Sequence, residues 1–421
     1  MKISKIRKTA LLLAAVSCVP LASCGKNSGG KTAQAVDLTD QIQPQQVSGT
    51  VTDESFRAAQ TAFALNLMQK TVQENQGNVL ISPYSVMQAL AMAANGANGE
   101  TLTQMEQALG GIPIEELNKY LLSQRESQPN TNQCKLLNAN SIWFRDDKNA
   151  IEVKQDFLQT NKNYYGANVY KEPFNQETVN HINRWCSDHT DKMIPKLLNE
   201  ISGDSVMYLI NAVLFDAKWE SPYREEPAEY EFQAVDGSTQ KAKMMLSDEF
   251  TYLSDDHAAG FVKPYADGKY AFAALLPEKG MSVQDYIAGL TPESLQHTLN
   301  HPEICSVSTG LPQFSYDFDT EMSDSLKAMG MQQAFTDNAD LSRIGTAPDG
   351  NLCLGKVLHK THIAVDTNGT KAAAVTAVEV NSCAAAEDTK HVFLNRPFLY
   401  MILDTETNLP VFMGTLTEIP Q

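Results

Sequence analysis

A run of small and β-branched residues near the C-terminus constrains this chain more than any other feature. It spans residues 369 to 380 and reads Gly-Thr-Lys-Ala-Ala-Ala-Val-Thr-Ala-Val-Glu-Val. Its even-numbered positions carry only small or apolar side chains, whereas Lys371 and Glu379 fall at odd positions, which is the alternation of a half-buried strand. Residues 381 to 388 lack apolar periodicity, which predicts an exposed, protease-accessible loop. A potential strand therefore lies directly before a cleavable loop.

Helical patterns dominate the first part of the chain, and strand patterns become frequent later. The clearest helix begins where Ser82 can cap it and Pro83 can occupy its first turn, and its apolar residues predict deep burial. Further helices are predicted at residues 55–72, 101–109, 114–122, 149–162, 176–189, 282–299 and 320–329. Strands are predicted at residues 206–215, 270–276, 304–309, 363–366, 398–404 and 410–416. Without a regular βαβ alternation, this order predicts an α+β domain.

The N-terminus has the layout of a secretory signal, with four basic residues before an apolar run and then Leu21-Ala22-Ser23-Cys24-Gly25. These five residues resemble a bacterial lipobox, which implies that Cys24 carries the lipid and begins the mature chain. We therefore predict a signal peptide at 1–23, a polar, flexible tether at 24–54 and one folded domain at 55–421. The alternative is a secreted protein that is cut nearby and carries no lipid.

The net charge of the chain limits the classes of ligand that it can bind. Its formal net charge is −17 at pH 7, and loss of four basic residues with the signal would make it −21. So acidic a surface disfavours nucleic acid and anionic lipid headgroups as ligands. Glycosaminoglycan binding is disfavoured for the same reason.

Sequence motifs for common enzyme sites are missing. The seven cysteines show no zinc-binding spacing, and no nucleophile elbow, zincin motif or phosphate-binding loop occurs. His359 and His362 have a spacing that suits a metal on a helix, but their β-branched surroundings predict a strand. Cys383 could act as a nucleophile only with a histidine beside it in space, and the neighbouring alanines provide no activation. We therefore expect no metal, no cofactor and no catalytic residues.

From about residue 55 to its end, the chain resembles the serpins. The resemblance is carried by short segments that occur in the family's order, at residues 78–85, 137–144, 182–185, 190–194, 209–215 with Trp219, 244–245, 311–314, 339–342, 359–360 and 395–398. Each segment is weak evidence alone, but their collinearity is specific. The resemblance implies a serpin fold with three β-sheets, about eight or nine helices and an exposed reactive-centre loop. It also implies suicide inhibition, in which a protease cleaves the loop, remains acyl-linked, and is displaced as the loop inserts into the central sheet.

The resemblance also assigns roles to individual residues. The hinge and inserting strand would be Gly369, Thr370, Lys371, Ala372, Ala373, Ala374, Val375 and Thr376. The small inward side chains of this strand permit insertion without forcing the sheet apart. Family spacing places the scissile bond between Cys383 and Ala384, within one or two residues, which favours elastase-like or subtilisin-like serine proteases and also admits cysteine proteases. Control of sheet opening would involve Ser82, Asn211, Trp219 and His359.

Two positions depart from the family pattern, which usually has glutamate where this chain has Thr367 and Lys371. Loss of the first carboxylate would remove an ion pair that anchors the loop. A non-inhibitory serpin that acts as a cell-surface binding protein is therefore the alternative, and a hydrolase that uses Cys383 is a third hypothesis. The expected partners are a protease, the membrane through Cys24, and other copies in loop-sheet polymers of an otherwise monomeric protein. The expected location is the bacterial cell envelope, periplasmic or surface-exposed, or the extracellular space.

Overall fold

A computed structural model describes residues 35–146, 151–201, 205–223, 225–346, 352–370 and 389–420. Residues from Ala35 onward form one compact unit. The helices of the described residues are α1 (Glu54–Glu74), α2 (Pro83–Ala94), α3 (Gly99–Ala108), α4 (Ile114–Glu126), α5 (Gln155–Tyr165), α6 (Gln176–His189), α7 (Val283–Gly289), α8 (Pro292–Asn300) and α9 (Ser323–Ala328), with a 3₁₀ turn at Gln333–Phe335. Among them, none is long and apolar enough to cross a membrane.

Strands from both halves of the chain contribute to the sheets. They are β1 (Val79–Ile81), β2 (Cys134–Arg145), β3 (Glu152–Val153), β4 (Asn168–Glu172), β5 (Met207–Lys218), β6 (Ala228–Gln233), β7 (Thr239–Ser254), β8 (Ala258–Pro264), β9 (Tyr270–Pro277), β10 (Glu303–Pro312), β11 (Phe314–Glu321), β12 (Gly345–Thr346), β13 (Lys356–Val365), β14 (Gly369–Thr370), β15 (Lys390–Phe393), β16 (Phe398–Asp404) and β17 (Leu409–Leu416).

Three sheets organise these strands. The central sheet has the order β11-β13-β14-β5-β2-β4, a nine-stranded sheet runs β1-β17-β16-β9-β8-β7-β10-β15 with β6 beside β7, and β12 pairs with β3. The main core includes α1, α2 and residues of both large sheets. A second apolar cluster joins α6 to the central sheet and contains Trp143, Trp185 and Tyr208. The predictions of an α+β fold, three sheets and eight or nine helices are confirmed for the described residues.

Helix ends follow their local chemistry. The Ser82 hydroxyl accepts a hydrogen bond from the Ser85 amide, Pro83 begins α2, and every residue of this helix is buried. The single helix expected at 282–299 is instead two, because Thr291 caps a new helix that starts at Pro292 and whose capping box is completed by Ser294. The helix expected at 149–162 begins only at Gln155, since β3 pairs with β12 just before it.

The segment before α1 differs from the predicted flexible tether. Asp37 accepts hydrogen bonds from the Asn168 side chain at 2.5 Å and from the Val169 amide at 3.1 Å, and the Leu38 amide donates to the Val169 carbonyl at 2.7 Å. Further along, Ile42 is buried in the main core. These contacts lie along the edge strand β4 and fix residues that polar composition alone assigns to a mobile tether. Residues 1–34, which include the predicted signal and Cys24, lie outside the described residues.

Candidate loop-insertion site

The strand β14 lies at one end of the seam between β13 and β5. Thr370 pairs antiparallel with Val365 of β13 and with Ala217 of β5, and Gly369 pairs with Lys218. At the other end of the seam, residues 356–360 of β13 pair in parallel with residues 208–212 of β5. We call the β14 end the upper end and the directly paired end the lower end. At the upper end, β14 therefore separates β13 from β5, whereas at the lower end β13 and β5 pair directly.

Gly369 is required by a close backbone approach. A Cβ atom at this position would lie 2.1 Å from the carbonyl oxygen of Ala217, a distance that no side chain tolerates. The turn before it is fixed by Asp366, whose Oδ1 atom accepts hydrogen bonds from the amides of Asn368 at 2.7 Å and of Gly369 at 3.2 Å. Gly369 thus starts β14 at a defined point of the sheet.

Thr370 sets which face of the strand points inward. Its side chain is buried, and its Oγ1 atom lies 2.6 Å from the hydroxyl of Tyr265. Burial raises the pKa of Tyr265, so the phenol stays neutral and can donate to Thr370.

Three aromatic residues and one ion pair lie at this end of the seam. We call them the upper cluster, which consists of Trp219, Tyr223, Tyr265, Lys263 and Glu249. The rings of Trp219 and Tyr265 stack with their centroids 4.6 Å apart. The Trp219 amide donates to the Asn368 carbonyl and its indole nitrogen to the Asp366 carbonyl, both at 2.8 Å.

A further backbone bond ties the hinge turn to the same cluster. The Tyr223 amide donates to the Thr367 carbonyl at 2.9 Å. The two donors of Trp219 and this amide therefore hold the turn at residues 366–368, immediately before β14. This turn includes Thr367, where the sequence departs from the pattern described above.

A buried ion pair supports the upper cluster. The Nζ atom of Lys263 lies 2.6 Å from Oε1 of Glu249, and their side chains are only 2% and 8% exposed. The same Nζ atom lies 4.4 Å from the centroid of the Tyr223 ring and 5.6 Å from that of Trp219. Because a desolvated charge needs close partners, the carboxylate and the two aromatic rings together allow this lysine to remain buried.

The lower cluster is polar and consists of Ser82, Ser85, Asn138, Asn211 and His359. The Ser82 amide donates to Nε2 of His359 at 3.0 Å, which makes Nε2 the unprotonated nitrogen and Nδ1 the protonated one. Among the described residues no atom accepts from Nδ1, although it is buried. Burial lowers the pKa of His359 to about 3.

Asn211 lies opposite His359 in the parallel pairing of the lower end. Its Oδ1 atom is 2.5 Å from the Ser85 hydroxyl, and its Nδ2 atom donates to Oδ1 of Asn140 at 2.7 Å and of Asn138 at 3.1 Å. Ser82 donates from its hydroxyl to the Val411 carbonyl at 2.8 Å and so connects α2 to the nine-stranded sheet. The cluster thus joins α2, both seam strands and the sheet behind them.

The structure therefore brings together part of the predicted site. Gly369, Thr370 and Trp219 lie at the upper end of the seam, and Ser82, Asn211 and His359 lie at the lower end. The remaining predicted site residues, which are Cys24, Lys371, Ala372, Ala373, Ala374, Val375, Thr376, Cys383 and Ala384, lie outside the described residues.

Sequence reasoning missed Lys263, Glu249 and Tyr265. A signal for the lysine exists, because it follows the apolar Phe261 and Val262 in a strand. Its carboxylate partner lies on the neighbouring strand β7, fourteen residues away in the chain. Such a pairing is set by strand register, which a single sequence does not show.

The two histidines with metal-like spacing do not face each other. His359 is buried in the lower cluster, whereas Nδ1 of His362 lies 2.6 Å from Oδ1 of the exposed Asp317. An odd separation along a strand places them on opposite faces. Across the described ranges, no group of three metal-ligating side chains occurs.

Comparison with known proteins gives one consistent answer. The family model described as serpin (serine protease inhibitor) matches residues 58–419. Iripin-5 of Ixodes ricinus is 28% identical over 381 residues, which cover 87% of this chain and 95% of that protein.

Solved structures agree with the family match. The native state of the thermophilic serpin tengpin has a TM-score of 0.88 and 44% identity, covering 92% of this chain and 100% of that one. The latent state of tengpin has a TM-score of 0.78 and 41% identity, covering 88% of this chain and 100% of that one. The fold is thus more similar to the native than to the latent form, and the chain belongs to the serpin family of protease inhibitors.

Proposed function

We propose that this protein is a suicide-type inhibitor that traps a serine or cysteine endopeptidase as an acyl-enzyme. The observation that carries the proposal is β14, because the root of the reactive loop already lies between β13 and β5 while the lower end of the seam is closed. The upper end of the seam thus already contains the start of a strand, whereas a strand could enter the lower end only after β13 and β5 separate. Cleavage of the loop would release the rest of that strand to enter.

The register of β14 supports a specific course of insertion. Thr370 faces Ala217 and Val365, so Thr376, six residues later, would face the residues six positions earlier on each neighbouring strand, Asn211 and His359. These two residues face each other now. Insertion to Thr376 would therefore separate the pair at the centre of the lower cluster.

His359 has a hydrogen-bond donor at that point, the buried Nδ1–H group, for which the described residues provide no acceptor. The hydroxyl of Thr376 would arrive on the inward face beside it. A buried donor without an acceptor destabilises the folded state by about 1–3 kcal/mol, and a hydrogen bond from Nδ1 to the inserted Thr376 would remove this cost. The about ten ladder hydrogen bonds of a complete strand would add roughly 5–15 kcal/mol of driving force, less what the lower pairs lose.

The hinge turn is anchored even though residue 367 is a threonine and not the glutamate that the family usually has there. The Trp219 and Tyr223 donors hold the turn through its backbone carbonyls, so anchoring does not depend on a side-chain charge at residue 367. This geometry supports inhibition over the alternative of a non-inhibitory binding protein. Serpins as a class are protease inhibitors rather than enzymes, which also argues against hydrolysis by Cys383.

The bait sequence indicates the class of protease. With the scissile bond between Cys383 and Ala384, the side chains on both sides of the cut are small, and they suit proteases with a shallow primary pocket. We therefore propose elastase-like and subtilisin-like enzymes as targets.

The first test mixes the folded domain with pancreatic elastase or subtilisin. We expect a protease adduct that survives denaturing electrophoresis, with mass spectrometry locating the cut after Cys383. A strong gain in heat resistance after loop cleavage should accompany it. Clean cleavage that leaves the protease active, without that gain, would identify a substrate and support the non-inhibitory alternative.

We also propose that the mature protein is anchored in the bacterial envelope by a lipid on Cys24. Because residues from Asp37 onward pack on β4, only about 13 residues would span from the lipid to the domain, a reach of at most about 45 Å. Labelling with a radioactive fatty acid should modify the wild-type chain and not a Cys24→Ala variant. Equal labelling of both would refute the anchor.

A further inference from the structure

Exposed large hydrophobic side chains are concentrated on one group of paired strands. Tyr230, Leu246, Phe250 and Ile304 lie on β6, β7 and β10, and Phe250 and Ile304 are 68% and 75% exposed. The other exposed large hydrophobic side chains of the described residues are valines, at positions 36, 51, 206 and 235, on other segments of the chain. Single exposed apolar residues are ordinary on a protein surface, but a cluster indicates a contact surface.

The strand register places most of this cluster on one face. Leu246 and Phe250 are four residues apart on β7 and therefore point the same way. Leu246 pairs with Gly310 of β10, and Gly310 pairs with Phe393 of β15. The Phe393 ring in turn contacts the ring of Tyr230, with centroids 5.1 Å apart. We call Tyr230, Leu246, Phe250 and Phe393 the β7 face.

Two local features shape the β7 face. A Cβ atom on Gly310 would lie 2.4 Å from the Phe393 ring, so the glycine allows this ring to lie across β10. The register of β10 shifts between Ile304 and Val307, opposite Phe250. Ile304 pairs with Thr251, whose side chain points away from that of Phe250, so Ile304 lies on the opposite face of these strands and outside the β7 face. The bulge lies directly beside Phe250, whose side chain is left exposed.

The β7 face is continuous with β15, the strand that follows the C-terminal end of the proposed reactive loop. Its last strand, β15, begins at Lys390, which pairs with Val307 of β10. The proposed cut before Ala384 is six residues from Lys390, so the two are at most about 20 Å apart. A protease of about 250 residues has a radius of gyration of about 18 Å and measures roughly 45 Å across. A protease seated on that bond would therefore extend over neighbouring strands.

We infer that the β7 face is a contact surface for the body of the target protease, outside its substrate cleft. The inference rests on the proposed function and names a second contact with the same partner. The protease surface that fits is apolar and weakly charged, because Leu246 and Phe250 would be desolvated in the encounter. Small residues around the bait provide few specificity contacts, so this face would supply selectivity that the loop lacks.

The test replaces Leu246 and Phe250, singly and together, by serine. Val51→Ser is the matched control, since Val51 is an exposed apolar residue away from these strands. Both target positions are exposed, so folding should be unaffected, and the thermal midpoint checks this. We expect the double variant to associate about five- to twenty-fold more slowly with the protease that the wild type traps fastest, because central apolar contacts have effects of this size. The stoichiometry of inhibition should be unchanged, since loop insertion does not use this face.

Encounter measurements with a protease whose active-site serine is replaced by alanine separate the two proposals. This protease cannot be trapped, so weaker binding by the Leu246→Ser/Phe250→Ser variant supports the contact surface whether or not the wild type forms adducts. Equal binding and equal association rates for wild type and double variant would overturn the inference. A wild-type dimer that the double substitution dissociates would also overturn it, because a second copy would then occupy the face.

Discussion

The two ends of the seam between β13 and β5 are held by different interactions. The lower end is closed by direct strand pairing over a network of directional hydrogen bonds, in which Nδ1 of His359 is the buried donor that lacks an acceptor among the described residues. The upper end is occupied by β14 over stacked rings and a buried ion pair. Hydrogen-bonded networks resist partial displacement, whereas stacked rings tolerate small shifts. We therefore expect the lower end to control whether the sheet opens and the upper end to control where the strand starts.

The largest expected effect comes from His359→Asp. The new carboxylate would be buried without a cation and would lose the bond from the Ser82 amide, at a cost of about 3–5 kcal/mol. We expect spontaneous loop insertion or polymers, seen by native electrophoresis and size-exclusion chromatography with loss of inhibition. Ser82→Phe should act the same way because residue 82 is fully buried.

His362→Asn is the matched control for the lower end, because it lies on the same strand but faces Asp317. It should remain monomeric and inhibitory. A His359→Asp protein that behaves like this control would remove the lower cluster from the control of opening.

The buried ion pair tests the upper end. Lys263→Met or Glu249→Gln alone leaves its partner buried and unpaired, which costs about 3–5 kcal/mol, whereas the double variant should recover much of the loss. Thermal inactivation measures this directly. Lys241→Met is the control, because Lys241 and Glu229 are also 2.6 Å apart but are exposed, so little change is expected. Equal effects in the buried and exposed pairs would contradict a supporting role beneath the hinge.

The pH dependence sharpens the contrast, since His359 belongs only to the lower end. Its pKa is about 3 in the folded protein and about 6.5 when unfolded, so the unfolded chain binds the proton first as pH falls. Its contribution to stability is complete above pH 6.5 and declines from there towards pH 3, by up to about 1.4 kcal/mol per pH unit. Thermal midpoints between pH 7.5 and 5 should fall less steeply in His359→Asn than in wild type or His362→Asn. Identical slopes in all three would exclude this histidine as the cause.

The smallest expected effect is that of Tyr265→Phe. It removes the hydroxyl near Thr370 but keeps the ring on Trp219, at a cost of about 0.5–1.5 kcal/mol. We expect a modest rise in the moles of inhibitor consumed per protease trapped, measured by titration. Thr370→Ser keeps the hydroxyl and should be close to wild type, whereas Thr370→Val should resemble Tyr265→Phe. Equal stoichiometry in all variants would show that this hydrogen bond does not guide the start of the strand.

Local patterns predicted those features whose causes are local. The cap at Ser82 and the proline after it predicted α2, and the alternation around Thr370 predicted the inward face of the hinge. The break between α7 and α8 was missed, although its cause, the capping box of Thr291 with a proline after it, is visible in the chain. There the apolar periodicity on both sides concealed a short cap.

Features that depend on distant residues were missed. Polar composition predicted a tether, but Asp37 accepts a hydrogen bond from the Asn168 side chain and Ile42 is buried in the main core. Lys263 resembles an ordinary strand residue until β7 places Glu249 beside it. In each case the stabilising partner is brought close by the tertiary fold, and composition and periodicity do not specify it.

The sequence by itself determined the serpin family and the α+β class, because these follow from the order of its segments and the periodicity of its apolar residues. Only the tertiary structure decided where Gly369 and Thr370 join the central sheet, which bonds close the seam and which apolar side chains of the described residues stay exposed. The physical reason is register. Where β13, β14 and β5 meet depends on a balance of pairings, and β5 lies more than a hundred residues before the other two strands in the chain, so that balance exists only in the folded molecule.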